Sequence, residues 1–275
     1  MGNEIIINQT GKETRVALIE NSQLAELHID RGENQGFVGN IYLGKVVRGL
    51  PGMQAAFVDI GLDRAAFLYA GDIYPEFLEQ DGQQDNEDPD STVVEASPRA
   101  NPKKGTPSIE DLIEEGQELL VQVAKDPIST KGARIKTHIT LPGRFTVFMP
   151  TVDHVGISRR IDRDRERKKL RHFVEKYRPE GCGFIVRTVC QGKSLETLQQ
   201  DMDYLINIWE KIKERKAKSS APSLLHQDHN LALRVIRDSF TTHIDRVLVD
   251  TNDLYRELLA FVKVFAPPLQ DRIRQ

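Results

Sequence analysis

The sequence predicts an α+β protein assembled from several subdomains, and the two ends of the chain supply the first evidence. Residues 5–29 read as three short strands separated by turn signals, with no helix among them. Residues 230–265 show the complementary pattern of a helix, a strand and a helix. A three-stranded meander cannot bury both of its faces alone, and the helical run lacks a sheet. We therefore predict that residues 1–36 and 221–275 form one discontinuous α/β subdomain.

The strand-rich block at residues 37–139 predicts a small β-barrel. Short strands follow one another between turns, at 41–47, 55–60, 65–68 and 119–123. Residues 79–107 interrupt them with Asp, Glu, Gln, Asn, Ser and Pro and almost no aromatic side chains, a composition typical of disorder. Because strands resume afterwards, we place this acidic insertion inside one barrel.

A third block, residues 140–220, predicts a smaller α/β subdomain. A strand at 144–149, a highly charged helix at 162–177 and a strand at 183–188 precede a long helix that starts near Ser194. Apolar residues recur in this last helix at spacings of three and four, so one face is expected to be buried. They are Leu195, Leu198, Met202, Leu205, Trp209 and Ile212.

Composition excludes several classes of protein. The two cysteines, Cys182 and Cys190, have neither zinc spacing nor enough partners for a disulfide framework. No apolar run is long enough to span a membrane, and the first residues lack a signal-peptide pattern, so we expect a cytoplasmic protein. The net charge of −3 argues against a nonspecific nucleic-acid binder, although positive charge is concentrated between residues 159 and 171.

Two aromatic residues of the predicted barrel have the placement that base stacking requires. Period-two alternation puts Phe57 on the same strand face as Asp59 rather than with the core, and it separates Phe67 from Leu68. Outward rings on a small barrel stack unpaired bases, each stack being worth roughly 1–3 kcal/mol. The pattern alone leaves open the alternative that one or both rings cover a barrel end.

The order and spacing of several motifs resemble the ribonuclease E/G family over nearly the whole chain apart from the acidic insertion. The similar segments are Asn40-Ile41-Tyr42-Leu43-Gly44-Lys45-Val46, Ala55-Ala56-Phe57-Val58-Asp59-Ile60-Gly61, Ala66-Phe67-Leu68, Gly156-Ile157-Ser158-Arg159-Arg160-Ile161, Ile185-Val186-Arg187-Thr188 and Gly192-Lys193-Ser194. The resemblance implies a split RNase H-like unit (1–36 and 221–275), an inserted S1-type OB barrel (37–139) and an α/β 5′-sensor subdomain (140–220).

The resemblance also implies two places of RNA contact. Phe57, Phe67 and Lys131 are expected to contact single-stranded RNA. A separate pocket for its 5′-monophosphate is implied for Gly143, Val147, Arg187 and Thr188. Arg187 ends an apolar strand, where a well-fixed backbone holds a guanidinium fork against a phosphate. Without the resemblance, the residue pattern favours a structural ion-pair role for Arg187, and the resemblance reverses that preference.

Arg159 and Arg160 lie within a family-like motif and are candidate RNA contacts. The basic residues that follow alternate with Asp162, Asp164 and Glu166, which is typical of a solvated helix face.

Family members cleave RNA with an aspartate pair that holds magnesium and assemble through cysteines that share zinc. Neither element has a counterpart in this sequence, so we expect both metals, the catalytic residues and the contacts of a homodimer or homotetramer to lie beyond Gln275. The main hypothesis is thus the RNA-recognition portion of a 5′-monophosphate-stimulated endoribonuclease of RNA processing and decay, inactive by itself. The alternatives are a stand-alone RNA-binding adaptor without catalysis and a purely structural interaction protein.

Overall fold

A computed structural model of the chain describes residues 2–11, 13–31, 36–73, 108–128 and 131–275. The predicted insertion at 79–107 lies outside these residues. Contacts divide the chain into two compact units, one made of Met1–Gly36 with His229–Gln275 and the other of Phe37–Asp228. Within the described residues, no helix combines the length and the apolar character needed to cross a membrane.

The regular elements are as follows. The strands are β1 (Glu4–Thr10), β2 (Glu13–Glu20), β3 (Gln23–Arg31), β4 (Ile41–Leu50), β5 (Ala55–Asp59), β6 (Ala66–Tyr69), β7 (Glu118–Lys125), β8 (Arg134–Lys136), β9 (Leu141–Pro142), β10 (Thr146–Met149), β11 (Val155–Ile157), β12 (Gly183–Val186), β13 (Ser223–His226), β14 (Arg246–Val249) and β15 (Ile273–Arg274). The α-helices are α1 (Ile109–Leu112), α2 (Asp164–Tyr177), α3 (Leu195–Lys218), α4 (Leu231–Ser239) and α5 (Asn252–Phe265).

The discontinuous unit is a five-stranded sheet in the order β15-β14-β1-β2-β3. Strand β1 pairs in parallel with β14, so that Ile5 lies beside Val247. Both are buried in a core with residues of α4 and α5. The second segment of this unit starts at His229, later than the predicted residue 221, because β13 pairs with β4 of the other unit.

The second unit contains a closed five-stranded barrel. Its strands run in the order β4-β5-β6-β8-β7, and β7 pairs back with β4. Period-two alternation fills the interior with small and branched side chains, among them Val58, Leu68, Val121 and Ile135, all fully buried. The barrel fits the OB-fold, which confirms the predicted α+β class with a small barrel.

The remainder of this unit is a four-stranded sheet, β11-β12-β10-β9, packed against α2 and α3. Ser194 caps α3 by accepting the N–H of Thr197 at 3.2 Å, as its position before the apolar stripe predicts. The stripe residues Leu198, Met202, Leu205 and Ile212 are buried with Phe148 and Phe184 of the sheet. One charged residue, Asp201, is buried on the same helix.

Candidate nucleic-acid interface

The predicted aromatic residues of the barrel lie side by side on its outer wall. Phe57 of β5 is directly opposite Phe67 of β6, and the ring centroids are 5.4 Å apart at an interplanar angle of 83°. Both rings are half-exposed, whereas the neighbouring positions in each strand are fully buried in the barrel core: Ala56, Val58, Ala66 and Leu68. The rings therefore belong to the solvent side of the sheet, which is the placement that the strand alternation predicts.

A third ring continues this row. Tyr69 follows Phe67 by two residues on β6, and their centroids are 4.7 Å apart. The guanidinium of Arg134, on the neighbouring strand β8, lies 5.1 Å from the centroid of the Tyr69 ring. Asp72, only 5% exposed, accepts hydrogen bonds from Nε and Nη2 of Arg134 at 2.9 and 3.0 Å. Sequence reasoning missed Tyr69, although the same alternation that selects Phe67 extends to it.

Lys131 lies on the segment that runs beside β6. Its side chain is exposed, and its N–H donates to the carbonyl of Ile128 at 3.0 Å. Two residues later, the Ala133 carbonyl accepts the N–H of Phe67 at 2.7 Å. Between them, a Cβ on Gly132 would stand 1.9 Å from the Ala65 carbonyl oxygen. Only a glycine lets this segment approach β6 so closely, so Gly132 fixes how near Lys131 comes to the aromatic row.

Two basic side chains near Asp72 have strongly lowered pKa values. Burial lowers the pKa of Lys136 to about 8, opposed by the charge of Asp72. Burial, together with the positive charge of Lys136, lowers the pKa of His138 to about 4. His138 is therefore uncharged at neutral pH, whereas Lys136 loses its positive charge slightly above neutral pH.

The predicted phosphate-binding residues meet at a second place, where the chain turns into β10. The turn wraps around the carboxylate of Asp201, which accepts the backbone N–H groups of Arg144, Phe145 and Thr146 at 2.9, 3.1 and 2.8 Å. The Thr146 hydroxyl donates to the same carboxylate at 2.8 Å. A Cβ on Gly143 would stand 2.6 Å from Asp201 Oδ2, so this position is limited to glycine unless the carboxylate moves.

Burial raises the pKa of Asp201, and the four hydrogen bonds act in the opposite direction. The role of Asp201 was not foreseen from the sequence. A carboxylate three residues after Leu198 on an otherwise apolar helix stripe is the signal that marks it.

Arg187 is held against this turn. It follows β12 directly and is 7% exposed; its N–H donates to the Phe145 carbonyl at 2.8 Å. Its guanidinium Nη1 donates to the Gly143 carbonyl at 3.0 Å. The structure therefore brings Gly143 and Arg187 into direct contact, with the guanidinium orientation fixed by a backbone acceptor.

The other two predicted pocket residues flank this contact. The hydroxyls of Thr188 and Ser158 share a hydrogen bond of 2.7 Å. Val147 is half-buried on β10 and lies opposite Ile185 of β12. Ser158 is a neighbour that the sequence did not single out, although it lies in the motif that contains Arg159 and Arg160.

Two of the basic residues between 159 and 171 bond the protein backbone. Nη1 of Arg167 donates to the Ser158 carbonyl at 2.8 Å, and Nη1 of Arg171 donates to the Val155 carbonyl at 3.0 Å. Both therefore fasten α2 to β11. Arg159 and Arg160 are exposed, and the N–H of Arg160 lies 3.4 Å from the Ser158 hydroxyl that bonds Thr188. The backbone of Arg160 thus contacts the pair of hydroxyls beside the candidate phosphate pocket.

Nowhere in the part of the chain that the structure describes do three His, Cys, Asp or Glu side chains gather as a metal site would require. The expectation about magnesium and zinc stays a prediction.

The chain belongs to the ribonuclease E/G family, whose sequence profile matches residues 140–275. It is 42% identical over 272 residues to Ribonuclease G of Haemophilus influenzae, a match that covers 98% of this chain and 52% of the relative. Ribonuclease G of Escherichia coli strain K12 is 43% identical over 270 residues, with the same two coverages. Ribonuclease E of Haemophilus influenzae is 36% identical over 273 residues, or 98% of this chain and 27% of the relative. The predicted family is confirmed, and the chain spans about half the length of the ribonuclease G proteins that it matches.

Proposed function

We propose that this chain is the RNA-recognition portion of a single-strand-specific endoribonuclease of RNA processing and decay that is stimulated by a 5′-monophosphate. The observation that carries the proposal is the contact between Arg187 and the Gly143 turn, in one unit with an outward row of aromatic rings. The names of the relatives, ribonuclease G and ribonuclease E, supply the reaction class.

Arg187 suits a terminal phosphate for a geometric reason. A guanidinium presents its N–H donors in a planar fork that matches phosphate oxygens, and it stays charged at every physiological pH. The Gly143 carbonyl accepts one donor of that guanidinium and so restricts its orientation, and burial strengthens its electrostatic field. A 5′-monophosphate carries more charge than an internal phosphodiester, so this site favours the RNA end.

The aromatic row suits unpaired bases. Phe57 and Phe67 offer ring surface to solvent without any polar group that reads base identity, and stacking on such rings tolerates every base. Paired bases keep their faces covered by their neighbours, so the row selects single strands. Lys131 adds positive charge on the adjoining segment and is assigned to the RNA backbone.

Competition between 5′-monophosphate and 5′-hydroxyl forms of one short RNA tests the sensor. Wild-type protein is expected to prefer the monophosphate form. Arg187→Ala should remove this preference and Arg187→Lys should keep only part of it, since an ammonium lacks the fork. Arg171→Ala is the matched control, because that guanidinium also donates to a backbone carbonyl of the same unit. Equal affinity of wild-type protein for the two RNAs would refute the sensor and leave the barrel assignment standing.

We further propose that the 275-residue chain binds RNA without cleaving it. The family resemblance implies that cleavage relies on a pair of magnesium-binding aspartates, and the motifs of this chain that match the family do not include such a pair. Incubation of a labelled single-stranded RNA with the pure chain and magnesium should leave the RNA intact under conditions in which it is bound. Magnesium-dependent cleavage that disappears on substituting an aspartate of this chain would overturn this part of the proposal.

A further inference from the structure

We propose that Tyr69 is a third base-stacking position of the barrel and that Arg134 and Asp72 are the positioning residues that hold its ring. The inference rests on the proposed function, because it extends the row of Phe57 and Phe67 along the same RNA strand. Its ligand is an unpaired nucleobase, of any identity, next to the bases on the two phenylalanines.

The row is continuous and faces solvent. Phe67 contacts Phe57 on one side and Tyr69 on the other, with centroid distances of 5.4 and 4.7 Å. All three rings are half-exposed, and Tyr69 shares the strand face of Phe67 because the two are separated by one residue. A strand of unpaired bases that stacks on Phe57 and Phe67 therefore meets Tyr69 next in the same direction.

Arg134 and Asp72 fix the Tyr69 ring. The carboxylate of Asp72 binds Arg134 through two bonds, which set both the position and the plane of the guanidinium. Strand β8 places Arg134 opposite Phe67, and the guanidinium lies 5.1 Å from the Tyr69 centroid. A ring held in this way loses less conformational entropy when a base binds.

The charges of Arg134 and Asp72 indicate whether Arg134 supports base stacking or binds a phosphate. Asp72 is buried and opposes the positive charge of Arg134 at 2.9 Å, so the pair adds little net charge to the surface. Arg134 is thus assigned to the ring rather than to the RNA backbone. Loss of a phosphate contact lowers the salt dependence of RNA binding, whereas loss of a stack does not.

The test measures how affinity depends on RNA length. A dinucleotide and a hexanucleotide of uridine, both with 5′-hydroxyl ends so that the Arg187 site is not engaged, compete with a labelled RNA in fluorescence anisotropy. Tyr69→Ala is expected to weaken hexanucleotide binding about 5- to 150-fold, the equivalent of one base–aromatic stack, and dinucleotide binding less than about twofold. Tyr69→Phe should retain hexanucleotide affinity, since the ring remains.

Two further variants and a direct readout complete the experiment. Leu224→Ala removes an exposed apolar side chain from a strand paired with β4, away from the aromatic row, and should change neither affinity. Arg134→Gln should weaken hexanucleotide binding without changing the slope of affinity against salt. Irradiation of the wild-type complex with a 4-thiouridine RNA should cross-link Tyr69, a result that does not depend on the stability of any variant.

The outcomes separate this inference from the proposed function. If Phe57→Ala weakens both oligonucleotides while Tyr69→Ala behaves like Leu224→Ala, the third position is wrong and the RNA-binding barrel stands. Cross-links at the phenylalanines with none at Tyr69 would likewise exclude the third position alone. If Arg134→Gln reduces the slope of log affinity against log salt concentration by about one, Arg134 contacts a phosphate, and the positioning role is overturned. Failure of wild-type protein to bind the hexanucleotide would refute both proposals.

Discussion

Replacing Asp201 by asparagine tests whether the turn before β10 shapes the phosphate pocket. The Asp201 carboxylate accepts four hydrogen bonds, one on Oδ1 and three on Oδ2. An asparagine that keeps its oxygen at the Oδ2 position turns its NH₂ toward the N–H of Arg144. This unsatisfied buried donor costs about 2 kcal/mol. The three remaining bonds are no longer made to a charged acceptor, which costs about 1 kcal/mol more. The neutral amide is easier to bury, which offsets part of the loss, so we expect a decrease of about 2 kcal/mol in the free energy of unfolding.

Two measurements check this reasoning. The decrease corresponds to a drop of about 4–8 °C in the melting temperature for a unit of this size. Competition binding should show that Asp201→Asn no longer distinguishes 5′-monophosphate from 5′-hydroxyl RNA, because the Gly143 carbonyl no longer orients Arg187. Asp203→Asn is the matched control on the same helix, since its partner is the Tyr177 hydroxyl at 2.6 Å. If Asp201→Asn lowers the melting temperature but still prefers 5′-monophosphate RNA as strongly as the wild type does, the turn does not shape the pocket and the reasoning is refuted.

Three further substitutions have defined outcomes. Gly132→Ala forces a Cβ against the Ala65 carbonyl oxygen and should destabilise the barrel by roughly 3 kcal/mol or more in thermal unfolding; a loss under 1 kcal/mol would contradict the close approach. The pKa of Lys136 in the folded protein, about 8, lies below the ordinary 10.5, so wild-type stability should rise from about pH 8 to pH 10.5 as the native state loses its buried charge. Lys136→Met should therefore stabilise the protein more at pH 7 than at pH 10 in denaturant titrations, and equal gains would exclude this explanation. Arg171→Ala should lower the free energy of unfolding by about 1 kcal/mol, because its bond to Val155 is lost. It should not alter the discrimination between 5′-monophosphate and 5′-hydroxyl RNA; altered discrimination would show that α2 contacts RNA.

The barrel could be predicted from the sequence because its strands show clear alternation between glycine-containing turns. Two strands of the six-stranded sheet that contains it escaped detection for physical reasons. Strand β8 has only three residues, two of them charged, and β13 follows a long helix with four residues that bear no alternation. Strand β8 is held by pairing with both β6 and β7, and β13 by pairing with β4. Their strand conformation therefore comes from tertiary pairing rather than from their own residue pattern.

The candidate sites likewise contain some features that the sequence predicts and others that it does not. Local alternation predicts that Phe57 and Phe67 point outward, and Tyr69 obeys the same rule one step further along β6. The Asp201 contact joins residues more than fifty positions apart, and nothing local reveals which backbone groups the carboxylate receives. Likewise, the charge pattern of α2 does not reveal that Arg167 and Arg171 bond backbone carbonyls, because the docking of α2 beside β11 determines which carbonyls they reach.

Strand β4 links the two candidate sites structurally. Its alternation sends Tyr42 and Val46 into the barrel core, and Ile41 and Leu43 into the core that contains Phe148 beside the phosphate pocket. A shift of one residue in its register would exchange these side chains between the two cores, so packing specifies the register strongly. The aromatic row and the Arg187 pocket are thereby held at a defined separation within one unit. A phosphate bound at the pocket then raises the effective concentration of the same strand at the rings, but only for an RNA long enough to span both, so the advantage of the 5′-monophosphate should appear above a threshold length.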